Sequence, residues 1–204
     1  MTNHLYKGDL PEGLNLGSVV AIDSETMGLI PQRDPLCVVQ LSAGDGNAHL
    51  VQLDRKTYDA PRLKALLADT KVLKLFHFAR FDVAAFKQWL GVDTAPVYCT
   101  KIASKLCRTY TDRHGLKDVC RELLGVDISK QQQSSDWGAD QLSDAQVDYA
   151  ASDVLHLHAL REKLDAMLAR EGRTDLAEAC FEFLPNRAAL DLAGWPEVDI
   201  FAHS

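Results

Sequence analysis

The sequence predicts an α/β domain built on a mixed sheet. Two observations lead there. Three β-prone segments come first, joined by short turns, and the apolar period then shifts to helical with one more strand inside it. The composition supports one compact unit: 204 residues, 47% hydrophobic and 25% charged, with 12 Gly and 7 Pro. A domain takes roughly 100–200 residues, so one is expected.

Val19-Val20-Ala21-Ile22 reads as a strand running into the polar Asp23-Ser24-Glu25. Cys37–Leu41 is a second strand and Ala48–Leu53, which alternates, a third. The turn residues Ser42–Asn47 lie between these two. Links this short favour an antiparallel meander, because a parallel return needs about a dozen residues. Pro61 opens a helix with Leu63, Leu66 and Leu67 on one face. Val72–Phe76 is a strand, and Phe81–Leu90 a helix closed by Gly91. Lys101–Cys107 and Leu116–Leu124 are further helices, the second ended by Gly125. Ser143 with Gln146 forms a capping box and opens a helical pattern running to about Ala169. From Phe181 to Ser204 the chain is rich in large apolar residues but has little periodicity.

No apolar run approaches the ~18 residues of a membrane span. The first residues, MTNHLYKGDL, lack a basic stretch followed by an apolar core, so no secretory leader and a cytoplasmic location are expected. Five widely spaced cysteines without a CxxC pair argue against a disulfide framework and against zinc. The net charge of −7 disfavours a protein that holds long nucleic acid by phosphate neutralisation alone. That charge is uneven. Residues 101–133 carry seven Lys/Arg against four Asp/Glu, whereas 134–182 carry four against eleven. Such a division suits a phosphate ligand beside a carboxylate-held metal, or simply two solvated helix faces.

Asp23 and Glu25 sit two apart at a strand end, so both face one way. Two carboxylates on one face repel each other unless a cation lies between them. Asp82 falls near the start of a helix, among aromatic residues. Tyr149 and Asp153 are four apart on the long helix and share a face. All four acids offer oxygen only, the donor that Mg²⁺ prefers. His156 and His158, two apart on a helix, do not form a ligand pair.

In order, these residues resemble the three motifs of the DEDD 3′–5′ exonucleases, in the subclass with tyrosine in the third motif. Asp23-x-Glu25 is similar to the first, Asp82 to the second and Tyr149-x-x-x-Asp153 to the third. Ile128–Trp137 and Tyr149–Val154 resemble ribonuclease D sequences. Three segments are similar to the compact nanoRNase branch of that family: Cys99–Leu106, Arg108–Lys117 and Asp199–Ser204. The resemblance implies a ribonuclease H-like fold with a mixed five-stranded sheet flanked by helices. It implies an exoribonuclease using two Mg²⁺ or Mn²⁺ ions per active site and releasing nucleoside 5′-monophosphates from very short RNA, dinucleotides above all. A homo-octamer is the implied assembly. A ribonuclease D-like or DNA 3′–5′ exonuclease acting on longer RNA or DNA is the alternative. Full-length ribonuclease D has C-terminal helical domains that this sequence is too short to include, and it commonly has Asp where Cys99 stands.

On this resemblance Asp23, Glu25, Asp82 and Asp153 are the metal ligands, and Tyr149 positions the attacking water. Leu29, after the turn-forming Gly28, is either a wedge against the bases or a core leucine. His77 either reaches substrate or packs. Arg108, Arg113 and His114 are candidates for a 5′ phosphate. One exonuclease domain is expected over 1–204, with its core at about 19–168. The tail 169–204 either makes subunit contacts or folds back on its own subunit.

Overall fold

The computed structural model describes residues 2–129 and 131–203. Its centre is a six-stranded sheet of order β1-β4-β3-β2-β5-β6. The strands are β1 (Asn3–Lys7), β2 (Val19–Thr26), β3 (Leu36–Ser42), β4 (Ala48–Gln52), β5 (Leu73–Phe76) and β6 (Val97–Cys99). β2, β3 and β4 form the expected antiparallel meander. β5 adds to β2 in parallel and β6 to β5 in parallel. Every residue of β3 and β4 is buried, because both faces of the sheet are covered.

The sheet therefore has one strand more than expected. β1 pairs in parallel with β4 at the edge, and its partner lies some 45 residues away in the sequence. A polar five-residue strand with so distant a partner leaves no local pattern to read.

The helices are α1 (Pro61–Ala68), α2 (Ala79–Ala85), α3 (Thr100–Cys107), α4 (Leu116–Leu124), α5 (Asp144–Leu155), α6 (Leu157–Arg170) and α7 (Thr174–Leu192). Pro61 stands in the first turn of α1, and Ser143 caps α5 in a complete capping box. α2 continues into a π-helical turn, Phe86–Leu90, ended by Gly91 at φ 66°. The long pattern from Ser143 is two helices, not one. The chain bends at His156, which lets α5 lie across β1–β4 while α6 packs on α3 and α4.

The tail corrects a further expectation. α7 packs on α2 and β6 of its own chain, and Phe181, Leu184 and Ala188 are buried in the common core. Asp191 near its end accepts hydrogen bonds from Arg80 Nε and Nη2 at 2.6 and 2.7 Å. Arg80 lies on α2, two residues before Asp82. The helix therefore braces the segment that carries the second acid, so the core extends past residue 168. Beyond it, Trp195, Val198, Ile200 and Phe201 stay exposed. None of the described helices is long and apolar enough to cross a membrane.

Candidate active site

β2 delivers Asp23 and Glu25 to one face of the sheet, as their spacing requires. α5 crosses that face and supplies Asp153 from one turn beyond Tyr149. Asp23, Glu25 and Asp153 each offer a carboxylate oxygen, all within 4.8 Å of one another. Asp82 stands behind them on α2, only 3% exposed. Ser24, between the first two acids, donates its hydroxyl to Asp82 Oδ1 at 2.6 Å. Gln40 sits opposite Asp23 in the β2–β3 register, and its amide donates to Asp23 Oδ2 at 2.9 Å. The strand that carries two acids thus also fixes a third.

Concentrating these groups is unfavourable without a counter-charge. Burial, reinforced by the charges of Asp82, Asp153 and Glu25, holds the Asp23 carboxyl well above the usual range. Burial and the neighbouring Asp153 push Glu25 up to about 9. Burial raises Asp82 to about 7 despite its bonds from Ser24. Each acid would rather be neutral than share this space as an anion. A divalent cation among oxygen donors removes the conflict, and oxygen-only ligation at this spacing suits a hard cation.

This arrangement makes metal-free stability depend on pH. The folded chain keeps protons that the unfolded chain has already released, so stability is fullest below the ordinary carboxylate range. It is lost as pH rises through about 7 for Asp82 and about 9 for Glu25. A metal-free sample should therefore melt lower at about pH 9 than at about pH 6, with ~1 kcal/mol moving the midpoint by about 2–4 °C. Saturating Mg²⁺ should raise the midpoint more at the higher pH. Equal melting at both pH values would contradict the repulsion.

Tyr149 stands beside the trio. Its hydroxyl is hydrogen-bonded to Asp153, and burial together with the charges of Asp153, Glu25 and Asp23 holds the phenol far above its ordinary value. With no counter-charge among the acids the phenol is held neutral, and its one O–H is directed at Asp153. Its ring lies 6.0 Å from the buried Trp137.

A cleft of about 670 Å³ opens over these groups. Asp23, Glu25, Asp153 and Tyr149 line it, with Lys101 and Lys117 contributing positive charge. The segment that resembles ribonuclease D also reaches it, through Ile128, Ser129, Gln133, Ser134, Ser135 and Trp137. Lys130, inside that segment, lies outside the described residues.

Leu29 is not a core leucine. It is 85% exposed and lines the cleft. The loop that carries it is closed by Asp34, whose carboxylate accepts from Ile30 N at 2.9 Å and from Arg33 Nε at 2.7 Å. A Cβ at Gly28 would come within 2.3 Å of Asp34 Oδ2, so a side chain there would displace the carboxylate that closes the loop. If Leu29 meets substrate, Leu29→Ala should raise the KM for dinucleotides and leave the melting temperature within about 1 °C, since burial contributes little at so exposed a site. A drop of many degrees would make Leu29 structural instead.

His77 also lines the cleft, with Nδ1 2.8 Å from Thr100 Oγ1. The three phosphate candidates fare differently. Arg108 is fully buried, hydrogen-bonded to Ser104 Oγ and the Arg113 carbonyl and paired with Glu122, so it braces the fold and cannot meet a phosphate. Its chain neighbourhood looked basic, but its partner lies 14 residues further on. Arg113 is exposed, and neither it nor His114 lines the cleft. His114 Nδ1 is 2.9 Å from Ser104 Oγ. Among the described residues, Lys101 and Lys117, overlooked in the same basic stretch, are the lysines that line it; helical phase distinguishes them from Arg108 only once the helix axes are known.

Residues 8–169 match the 3′–5′ exonuclease family. The chain belongs to that family. As a 3′–5′ exonuclease it is an enzyme, a nuclease. This exonuclease is similar over its whole length to NrnC of Brucella melitensis. The structure of that protein bound to pGG is 57% identical, with a TM-score of 0.97 and 100% of both chains covered. The structure with bound Mg²⁺ is 56% identical, with a TM-score of 0.96. Ribonuclease D of Acidiphilium cryptum is 36% identical over 156 residues, 76% of this chain but 39% of that protein. The exonuclease thus spans well under half the length of the ribonuclease D it matches. The kinship with nanoRNase C and ribonuclease D expected from the motifs is borne out, and so is the ribonuclease H-like α/β fold.

Proposed function

We propose that this exonuclease removes the 3′ nucleotide from very short RNA, dinucleotides above all, and releases nucleoside 5′-monophosphates. The observation that carries the reading is the end-to-end likeness to a protein whose structure holds pGG. The exposed Leu29 at the cleft supports it, as an apolar side chain that can meet the bases. Asp23, Glu25, Asp82 and Asp153 would hold two Mg²⁺ or Mn²⁺ ions. When bound, such a pair activates water and stabilises the leaving 3′ oxygen. The chain's own groups do the rest. Gln40 and Ser24 orient the acids. Tyr149, its one O–H directed at Asp153, accepts from the attacking water and holds it toward the scissile P–O3′ bond. Lys101 and Lys117 balance the phosphate charge on the other wall of the cleft.

The test is a time course on 5′-labelled oligonucleotides of about two to twenty residues, as RNA and as DNA, chosen because recognition of the 2′-hydroxyl separates the two. Dinucleotide RNA should turn over fastest. Equal or faster cleavage of the longest RNA, or of DNA, would favour the ribonuclease D-like or DNA exonuclease reading.

We also propose that the protein works in the cytoplasm as a homo-oligomer, an octamer. Phe183 and Phe201 are exposed side by side, with ring centroids 5.9 Å apart, and Trp195, Val198 and Ile200 add apolar surface nearby in the chain. Contiguous exposed apolar surface is characteristic of an interface. Because Phe181 and Leu184 belong to the core, the informative truncation is after Gly194, not before Phe181. It should reduce the mass seen by light scattering while the chain stays folded. An unchanged mass would show that the last residues are not the interface, and a mass of 22.6 kDa for the intact protein would refute the oligomer.

A further inference from the structure

Phe78 occupies a backbone conformation that suits it badly. Its φ is 82°, in the left-handed region that bulky residues rarely enter. Among the described non-glycine residues only Tyr58 also has positive φ, and Tyr58 has a structural reason: its hydroxyl donates to the Leu36 carbonyl at 3.0 Å and its ring packs on Trp89. Phe78 precedes α2, which has no side-chain cap. Glycine would take this turn without steric cost, and asparagine would take it and could cap the helix as well. The chain instead places a benzyl group there and leaves it 43% exposed. Neither the turn nor the core accounts for the ring. Strain of this kind concentrates where function requires a side chain.

The surroundings give that side chain a purpose. Lys101 Nζ lies 4.4 Å from the centre of the Phe78 ring. Lys101, the preceding His77 and Phe81 one turn on all line the catalytic cleft. The ring itself does not line the cleft; it stands exposed beside residues that do, next to a cation that does. We infer that Phe78 is a stacking platform for a nucleobase of the substrate, with Lys101 on the adjoining phosphate. An aromatic face accepts any base, and an ammonium suits the phosphate beside it. The inference deepens the short-RNA reading and rests on it.

The experiment uses the full-length chain and compares Phe78→Gly, Phe78→Asn and Phe78→Tyr on diadenylate and diuridylate. Glycine and asparagine relieve the backbone and remove the ring, so both variants should melt no lower than the parent and keep its oligomeric mass. Their KM should rise roughly tenfold, in line with losing one stacked base, with kcat within about twofold. The loss should be larger for diadenylate, whose purines stack more strongly. Phe78→Tyr keeps the aromatic face and should keep the parent KM. An unchanged KM in the glycine and asparagine variants would overturn the inference. A lower melting temperature with unchanged KM would make the ring a packing element, and a changed mass with unchanged KM would make it a subunit contact. If the parent enzyme hydrolyses neither dinucleotide, the short-RNA reading fails first and takes this inference with it.

Discussion

Asp23→Ala, Glu25→Ala, Asp82→Ala and Asp153→Ala are each expected to reduce hydrolysis to background while the protein stays folded. Three of the four acids present oxygens within 4.8 Å of one another, and the fourth is fixed to the same strand through Ser24. On the proposed role of these four acids, removing any one leaves the cation site short of charge and of a ligand. The isosteric changes Asp23→Asn and Glu25→Gln carry a second expectation with the opposite sign. Both acids are held far above their ordinary range by burial and mutual repulsion. Neutral amides should therefore raise the melting temperature of the metal-free protein at about pH 9, by the same linkage that destabilises the parent there. A variant that is dead and more stable when metal-free is a strong signature of a site that spends stability on function. Wild-type hydrolysis in any of the alanine variants, measured with saturating Mg²⁺, would remove that acid from the site.

Tyr149→Phe is expected to lower kcat by roughly 10²–10⁴-fold, the usual contribution of a group that positions or transfers a proton. The ring, its contact with Trp137 and the helix all remain; only the hydroxyl is lost. On the proposed role, in which the phenol acts on water and not on the substrate's bases, KM should change little. An unaltered kcat would leave Tyr149 a packing residue.

Most of the fold could be read locally because its signals are local. Pro61, the Ser143–Gln146 capping box, Gly91 and Gly125 each act through the backbone within one helical turn, and all stand where expected. The two-residue spacing of Asp23 and Glu25 and the four-residue spacing of Tyr149 and Asp153 fix shared faces in the same way. The features that were missed depend on partners distant in sequence. β1 exists because β4 offers it an edge. The bend at His156 comes with no proline or glycine, only with a change in what each half packs against. Arg108 looked like a phosphate ligand until Glu122 closed on it. Gln40 left no signal at all, since only the strand register places its amide on Asp23.

The most direct test of metal-dependent hydrolysis at this site is the turnover of a diribonucleotide through a cycle of EDTA and Mg²⁺. With Asp23, Glu25, Asp82 and Asp153 as an oxygen-only cation site, turnover should cease in excess EDTA and return in full when Mg²⁺ exceeds the chelator. The product should be nucleoside 5′-monophosphate. Undiminished turnover in excess EDTA would contradict it.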